Sequence, residues 1–308
     1  MTPVFRFAPS PNGELHLGHA LSAMLNHDMV RKAGGRFLLR IEDIDPARCR
    51  PEYETQIYED LRWLGLDWEE PVRRQSDHVA EYRTVLEDLK SRGLVYPAFL
   101  SRTEIKAHVT EYEKNCGRWK YDPDGSPHYP TFERDLDPSE AAARIERGDR
   151  HMWRLNVERA MAALQLAPSE RGEGGGSRVR RKSAPLTWLE SNTGTLNETP
   201  ANPALWGDVV LWRWDAPSSY HLSVVLDDCL QGITHIVRGM DLFHATHIHR
   251  LLQDLLGLPA PVYHHHPLIK DESGQKLAKS IASTGLRTLR ESGVTPSEIR
   301  RMVGLAFV

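Results

Sequence analysis

Two histidines three positions apart, His16 and His19, flank Leu17 and Gly18 where an apolar run, Val4 to Phe7, has just given way to Pro9-Ser10-Pro11-Asn12-Gly13. The backbone N–H groups at a helix start collect positive potential, and two imidazoles there add donors, an arrangement suited to a phosphate. Gly18 would let a nucleotide approach the backbone. Far along the chain, Lys276-Leu277-Ala278-Lys279-Ser280 follows a loop containing Gly274. H-x-G-H and K-x-x-K-S in this order would coincide by chance in roughly one such chain in a thousand. Glu42 and Asp43 close a second apolar run. Glu42 is a candidate to hold an ammonium group; a helix cap or a solvated acidic turn is an equal alternative. Arg238 ends the run Ile233 to Val237, where a guanidinium can grip a carboxylate through two parallel hydrogen bonds.

The elements that must carry these groups are legible. Val4 to Phe7 predicts a buried strand, and a helix opens at His16, runs through Met24 and Met29, and ends in Lys32-Ala33-Gly34-Gly35. Basic residues in a last turn with glycine beyond it are a stop signal. Arg36 to Ile41 predicts a second strand, so the opening reads as a right-handed βαβ unit. Helices are expected from about Pro51 to Leu64, with Tyr53, Ile57, Leu61 and Leu64 on one stripe, and from a cap at Ser76 or Asp77 to Ser91. Gly207 to Trp214 and Tyr220 to Leu226 read as paired strands, followed by a strand at Ile233 to Val237 and a helix at about Leu242 to Leu256. Short helices at Leu286 to Glu291 and Pro296 to Val303 close the chain, the second capped by Thr295.

Composition excludes several classes. Of 308 residues, 40% are hydrophobic and 26% charged, an ordinary globular balance. The net charge of −3 gives no basic field over the whole molecule, so contact with nucleic acid needs local patches. No apolar run approaches the ~18 residues of a membrane span, and the N-terminus lacks a signal-peptide core. Cys49, Cys116 and Cys229 are too few and too scattered for a disulfide framework. A cytoplasmic protein with no membrane partner is expected. The segment 168–185, rich in glycine, serine and charge, reads as a flexible loop. Its Arg178, Arg180, Arg181 and Lys182 are candidates for RNA phosphate or simply a solvated basic face.

Taken in order, RFAPSPNGELHLGHA, FLLRIEDIDPAR, WLGLDWEE and QSDHVAEYRTVLEDLKSRGLVYPAF, then SYHLSVVLDDCLQGITHIVRGMDLFHAT and HHHPLIKDESGQKLAKS, resemble the glutamyl-type class I aminoacyl-tRNA synthetases. HLGH and KLAKS look like their HIGH and KMSKS signatures. The likeness is nearest to the short glutamyl-Q tRNA(Asp) synthetase family. It implies an α/β fold: a Rossmann-type parallel sheet with an inserted subdomain, a short helical C-terminal segment and no anticodon-binding domain. The expected division is 1–95 and 207–269 for the two sheet halves, 96–206 for the insertion, and 270–308 for the KLAKS loop and last helices.

The resemblance also implies a reaction and its residues. ATP, with Mg2+, would activate glutamate to glutamyl-adenylate, and glutamate would pass to the queuosine base in the anticodon of tRNA(Asp). His16 and His19 would act on the phosphates with Lys279 and Lys276, and His16, Gly18, His19 and Lys279 would bind ATP. Arg6, Ala8, Ser10, Glu42, Tyr220 and Arg238 would bind glutamate, with Val224 where full-length enzymes often carry asparagine. One histidine of His264-His265-His266 is expected near the nucleotide. A metal site built from these and His244, His247 and His249 lacks a recognisable spacing. Relatives often hold zinc in the insertion, but Ala98 and Leu100 replace the first two cysteines, leaving Tyr112 and Cys116, so zinc is expected to be absent. A monomer is expected. Two rivals remain: an enzyme charging a tRNA 3′ end with an anticodon-binding partner, and a non-catalytic RNA-binding paralogue.

Overall fold

Runs without a polar side become the centre of a parallel sheet because helices cover both its faces. The computed structural model describes residues 2–166, 185–192, 194–269 and 284–305. Strand β1 (Val4–Phe7) pairs in parallel with β2 (Arg36–Ile41), and α1 (Leu17–Ala33) crosses between them. Gly34 ends α1 with φ at 59°, the left-handed cap that glycine adopts without strain. Next come α2 (Pro51–Trp63), β3 (Glu69–Arg74) paired with β2, and α3 (Val79–Ser91).

The chain then leaves the sheet for a small domain. It holds β4 (Val95–Ala98), α4 (Arg102–Cys116), α5 (Pro138–Glu146), β5 (Met152–Leu155) and α6 (Val157–Leu166). A hairpin of β6 (Thr187–Asn192) and β7 (Thr195–Pro200) follows, then β8 (Val210–Trp212), α7 (Tyr220–Leu230), β9 (His235–Gly239), α8 (Ala245–Leu255) and β10 (Val262–His266). Two short helices, α9 (Leu286–Glu291) and α10 (Pro296–Met302), end the described chain, and Thr295 caps α10 through a reciprocal pair with Glu298. The large sheet runs β3-β2-β1-β9-β10-β6-β7, parallel except for β7; the small antiparallel sheet is β4-β5-β8.

Four details depart from expectation. Tyr220 to Leu226, read as a strand, is the first part of α7. Ser219 accepts the Leu222 N–H at its start, and Leu222, Val224, Val225 and Leu226 are all buried. With apolar residues at consecutive positions from Val224 to Leu226, this stretch shows no clear 3.6-residue period, so pattern alone could not separate it from a strand. Val210–Trp212 pairs with β5 in the small sheet, so the expected pair does not form. The β6–β7 hairpin, inside the 96–206 segment, extends the large sheet through β10. Nor do Ser76 or Asp77 cap α3. Gln75–His78 forms a 3-10 turn before it, and the Ser76 amide and hydroxyl bind Asp43 instead.

One core cluster lies under α1, α2 and α10, with Phe7, Met24, Leu39, Ile57, Leu61 and Ile299. A second lies among α3, α6, α7 and α8, with Leu86, Leu155, Leu222, Val225, Ile248 and Leu251. β1 has β2 on one side and β9 on the other, so the strand order reverses there. Ligands of open α/β sheets sit beyond the strand ends at such a point.

Candidate active site

Sequence and geometry agree at the β1–α1 turn. His16 is the N-cap of α1: its Nδ1 accepts the Gly18 N–H at 3.1 Å, while its own N–H donates to His19 Nδ1 at 3.2 Å. The rings stack with centroids 3.9 Å apart. A Cβ on residue 18 would sit 3.0 Å from the His16 ring, so Gly18 is what lets that ring fold back as the cap. Because both Nδ1 atoms accept from backbone, the proton of either ring in its neutral form sits on Nε2. Burial, and after it the His16 ring, hold the His19 imidazole down at about 3, so it stays neutral at ordinary pH.

On the neighbouring strand ends, charges are tied together. Arg6 Nε donates to Asp228 Oδ1 at 2.9 Å. Arg40, completely buried, donates to Asp228 at 2.8 Å, to Gln231 at 3.0 Å and to Glu42 at 3.1 Å. Asp227 takes Arg73 at 2.7 Å, Gln75 at 2.8 Å and the Tyr82 hydroxyl at 2.9 Å. Burial would raise the Asp228 carboxyl, but Arg6 and Arg40 outweigh it and hold it below the ordinary value. Glu42 goes the other way: burial pushes it up in spite of Arg40 and Arg6.

Arg238 is built differently. It is 4% exposed, and no carboxylate pairs with it among the described residues. Its donors reach neutral acceptors: His265 Nε2 at 3.1 Å, the Tyr220 hydroxyl at 3.2 Å, His249 Nδ1 at 3.3 Å and Thr246 Oγ1 at 2.6 Å. A buried guanidinium without a counter-charge is costly unless an anion joins it.

All nine sequence-predicted site residues within the described chain line one cavity of ≈ 430 Å³: Arg6, Ala8, Ser10, His16, Gly18, His19, Glu42, Tyr220 and Arg238. Val224 and His266 share its wall. Lys276 and Lys279 lie outside the described residues, as do Arg178, Arg180, Arg181 and Lys182. A larger cavity of ≈ 790 Å³ opens in the small domain. Its buried carboxylate, Asp208, is already held by Arg134 at 2.6 and 2.8 Å, so it presents no unpartnered charge. The smaller cavity is the candidate site.

Residues 4–308 match the family described as tRNA synthetases class I (E and Q), catalytic domain. The chain belongs to this family. It is 46% identical over 303 residues to the glutamyl-Q tRNA(Asp) synthetase of Rhodobacter capsulatus, covering 98% of this chain and 100% of that one. It is 34% identical to the glutamate–tRNA ligase of Prochlorococcus marinus, spanning 97% of itself but 57% of that protein. A crystal structure of a glutamate tRNA ligase from Elizabethkingia meningosepticum with its amino acid superposes with a TM-score of 0.69 at 27% identity, over 95% of this chain and 53% of the other. The protein is a class I aminoacyl-tRNA synthetase-like ligase, and no helix among the described residues is long and apolar enough to cross a membrane.

The positions at which the resemblance implies the first two zinc ligands carry no thiolate in this chain. Ala98 is buried against Tyr96 and Tyr129, with Leu100 and Ile105 packed on them. Tyr129 donates its hydroxyl to Glu133 and accepts the Leu100 N–H at 3.1 Å, so apolar groups and a satisfied phenol stand in place of thiolates. Cys116 is exposed at the end of α4. The histidines flagged by sequence do not gather into a metal site among the described residues. His247 accepts the Asn202 N–H and His264 meets the Ser191 carbonyl, while His249 and His265 belong to Arg238.

Sequence reasoning missed the charges that hold the candidate site together. Arg40 was available as a lone cation in the apolar run FLLRI, and Asp227-Asp228 as paired acids in another. Nothing local marks Thr246 or Glu190, and His249 stood out only as one of several histidines.

Proposed function

We propose that the cavity binds glutamate and ATP and joins them as glutamyl-adenylate. The observation that carries this reading is Arg238, a buried cation with only neutral partners, in the same cavity as the acidic Glu42 and the His16–His19 helix start. One wall suits a substrate carboxylate. Glu42, anchored by Arg40 and pushed upward by burial, is a carboxyl that an arriving ammonium would favour in its ionised form, so this wall suits the amino group. Arg6 contributes positive potential but is engaged by Asp228, so it is the weaker grip. Tyr220 and the Ala8–Ser10 loop complete the amino-acid end.

The Nε2–H groups of His16 and His19 supply donors for phosphate oxygens at the N-terminus of α1. His266 donates Nδ1–H to the Pro267 carbonyl and leaves its buried Nε2 without a partner in the cavity wall, an acceptor for a nucleotide amino or hydroxyl group. A carboxylate oxygen of glutamate attacks the α-phosphorus of ATP. The new O–P bond replaces the bond to the β-phosphate bridge, and pyrophosphate leaves. Mg2+ accompanies ATP and offsets phosphate charge. Lys279, with Lys276 as second cation, stabilises the charge that develops on the transferred group.

Transfer to queuosine in tRNA(Asp) is the second half of the proposal. The Rhodobacter capsulatus protein, matched along its whole length and bearing that activity in its name, supports it. A hydroxyl of the modified base would attack the activated carbonyl, forming an ester and releasing AMP. A cytoplasmic setting goes with these substrates.

Glutamate-dependent ATP–pyrophosphate exchange without tRNA tests the first half. Lys279→Ala is expected to lower its rate by about a hundredfold or more, the usual effect of deleting one preorganised charge stabiliser. Near-normal exchange by the folded variant would remove Lys279 from the mechanism.

A further inference from the structure

Behind Arg238 stands a buried pair that plays no part in the chemistry above. Glu190 on β6 is 5% exposed, and three donors converge on its carboxylate. They are the Trp188 indole N–H at 3.0 Å, the His265 backbone N–H at 2.8 Å and His265 Nδ1 at 2.9 Å. The other nitrogen of His265, Nε2, lies 3.1 Å from Arg238 Nε.

The two neighbours force one answer about the ring. An ionised carboxylate only accepts, so Nδ1 must carry a proton. A guanidinium Nε–H only donates, so Nε2 must be bare. Both ends demand the same neutral tautomer, with hydrogen on Nδ1. A doubly protonated ring would set an N–H against the Arg238 N–H. Burial, opposed by Glu190, keeps the ring neutral, its pKa down at about 4.

The same logic extends to the other imidazole on Arg238. His249 Nδ1 faces Arg238, so its proton is on Nε2, which reaches His221 Nδ1 at 3.3 Å. Burial, then Arg238, also keeps His221 low, at about 4. The arginine is therefore seated by lone pairs that add no negative charge next to it.

We propose that Glu190 and His265 are positioning residues for the amino-acid site: the carboxylate fixes the Nδ1–H tautomer of His265, whose Nε2 lone pair holds the Arg238 guanidinium in the orientation that receives a substrate carboxylate. Thr246 assists from the other side, accepting from Nη2. Glu190 sits one ring away rather than on the guanidinium, so the cation is aligned without being neutralised by direct contact. The proposal rests on the reading that Arg238 receives glutamate.

Two measurements decide it. In exchange assays, His265→Ala should raise the glutamate KM by about ten- to a hundredfold, since a buried charged donor loses its partner. Turnover at saturating glutamate and the ATP KM should change by less than about threefold, because the phosphate end is untouched. His265→Gln, whose carbonyl can replace the Nε2 lone pair, should recover most of the loss. Equal damage to glutamate and ATP parameters, or no recovery in the glutamine variant, would overturn the positioning role.

The second measurement needs neither activity nor a folded alanine variant. Long-range 1H–15N correlations of 15N-histidine wild-type protein, assigned with His265→Gln, should show His265 protonated on Nδ1 alone at pH 7. An Nε2–H or doubly protonated ring would overturn the proposal even if glutamate is the substrate. Wild-type protein inactive with glutamate but carrying the Nδ1–H tautomer would instead sink the glutamate reading, and with it the positioning role in substrate binding.

Discussion

Replacing Arg238 with alanine is expected to raise the glutamate KM for ATP–pyrophosphate exchange by about a hundredfold or more, with the ATP KM nearly unchanged. Truncating one partner of a buried charged pair costs about 2–5 kcal/mol, because the other charge is left in a dry site without compensation. Here the loss is compounded. The His265, His249, Tyr220 and Thr246 acceptors all lose their donor at once. Lysine should rescue little, since one ammonium cannot reproduce a planar fork spread over four acceptors. Glutamate titrations of the wild type, alanine and lysine proteins would check this. A folded alanine variant with normal glutamate KM and turnover would mean that Arg238 does not hold the substrate.

The largest stability effect should come from Arg40→Met. The side chain is fully buried and holds Asp228 at 2.8 Å and Glu42 at 3.1 Å, with Asp227 Oδ2 3.8 Å from its Nε. Methionine fills much of the volume but leaves buried Asp227 and Asp228, and half-buried Glu42, short of positive charge. Breaking such a cluster from one side costs about 3–5 kcal/mol. Urea unfolding at pH 7 should show that loss.

The pH dependence has a definite sign. The depressed Asp228 carboxyl contributes stability that is present above its unfolded pKa and lost as pH falls through the folded one. In the variant Arg40 no longer depresses it. The gap between the two proteins should therefore be full at neutral pH and narrow below about pH 4, where the unfolded carboxylate takes up its proton. An unchanged midpoint at pH 7 would show that the cluster is not structural.

The two predictions concern groups of different legibility. Arg238 was visible because it ends an apolar strand run, and strand ends are where an α/β sheet presents its ligand groups. The β1–α1 turn was visible for a similar reason: proline and glycine stop the strand, and glycine with two basic residues stops the helix. Thr295 and its capping box were also local signals.

What failed was long-range or featureless. Tyr220 sits on a helix rather than a strand, yet its hydroxyl still reaches the cavity, because Ser219 starts α7 there. The run YHLSVVL, with apolar residues at consecutive positions from Val224 to Leu226, has no clear period to read. The β6–β7 hairpin joins the large sheet through pairing of Leu189 with Val262, which no turn signal announces. His265 looked like one of three interchangeable histidines. Its partner Glu190 is 75 positions away, and only the β6–β10 pairing brings them together.

The central claim is that this synthetase activates glutamate and places it on queuosine. Labelled glutamate, ATP and Mg2+ should be incubated with total tRNA from queuosine-proficient and queuosine-deficient cells. The account predicts label on tRNA(Asp) in the proficient pool alone; equal labelling of both pools, or label on the 3′ end of tRNA(Glu), would contradict it.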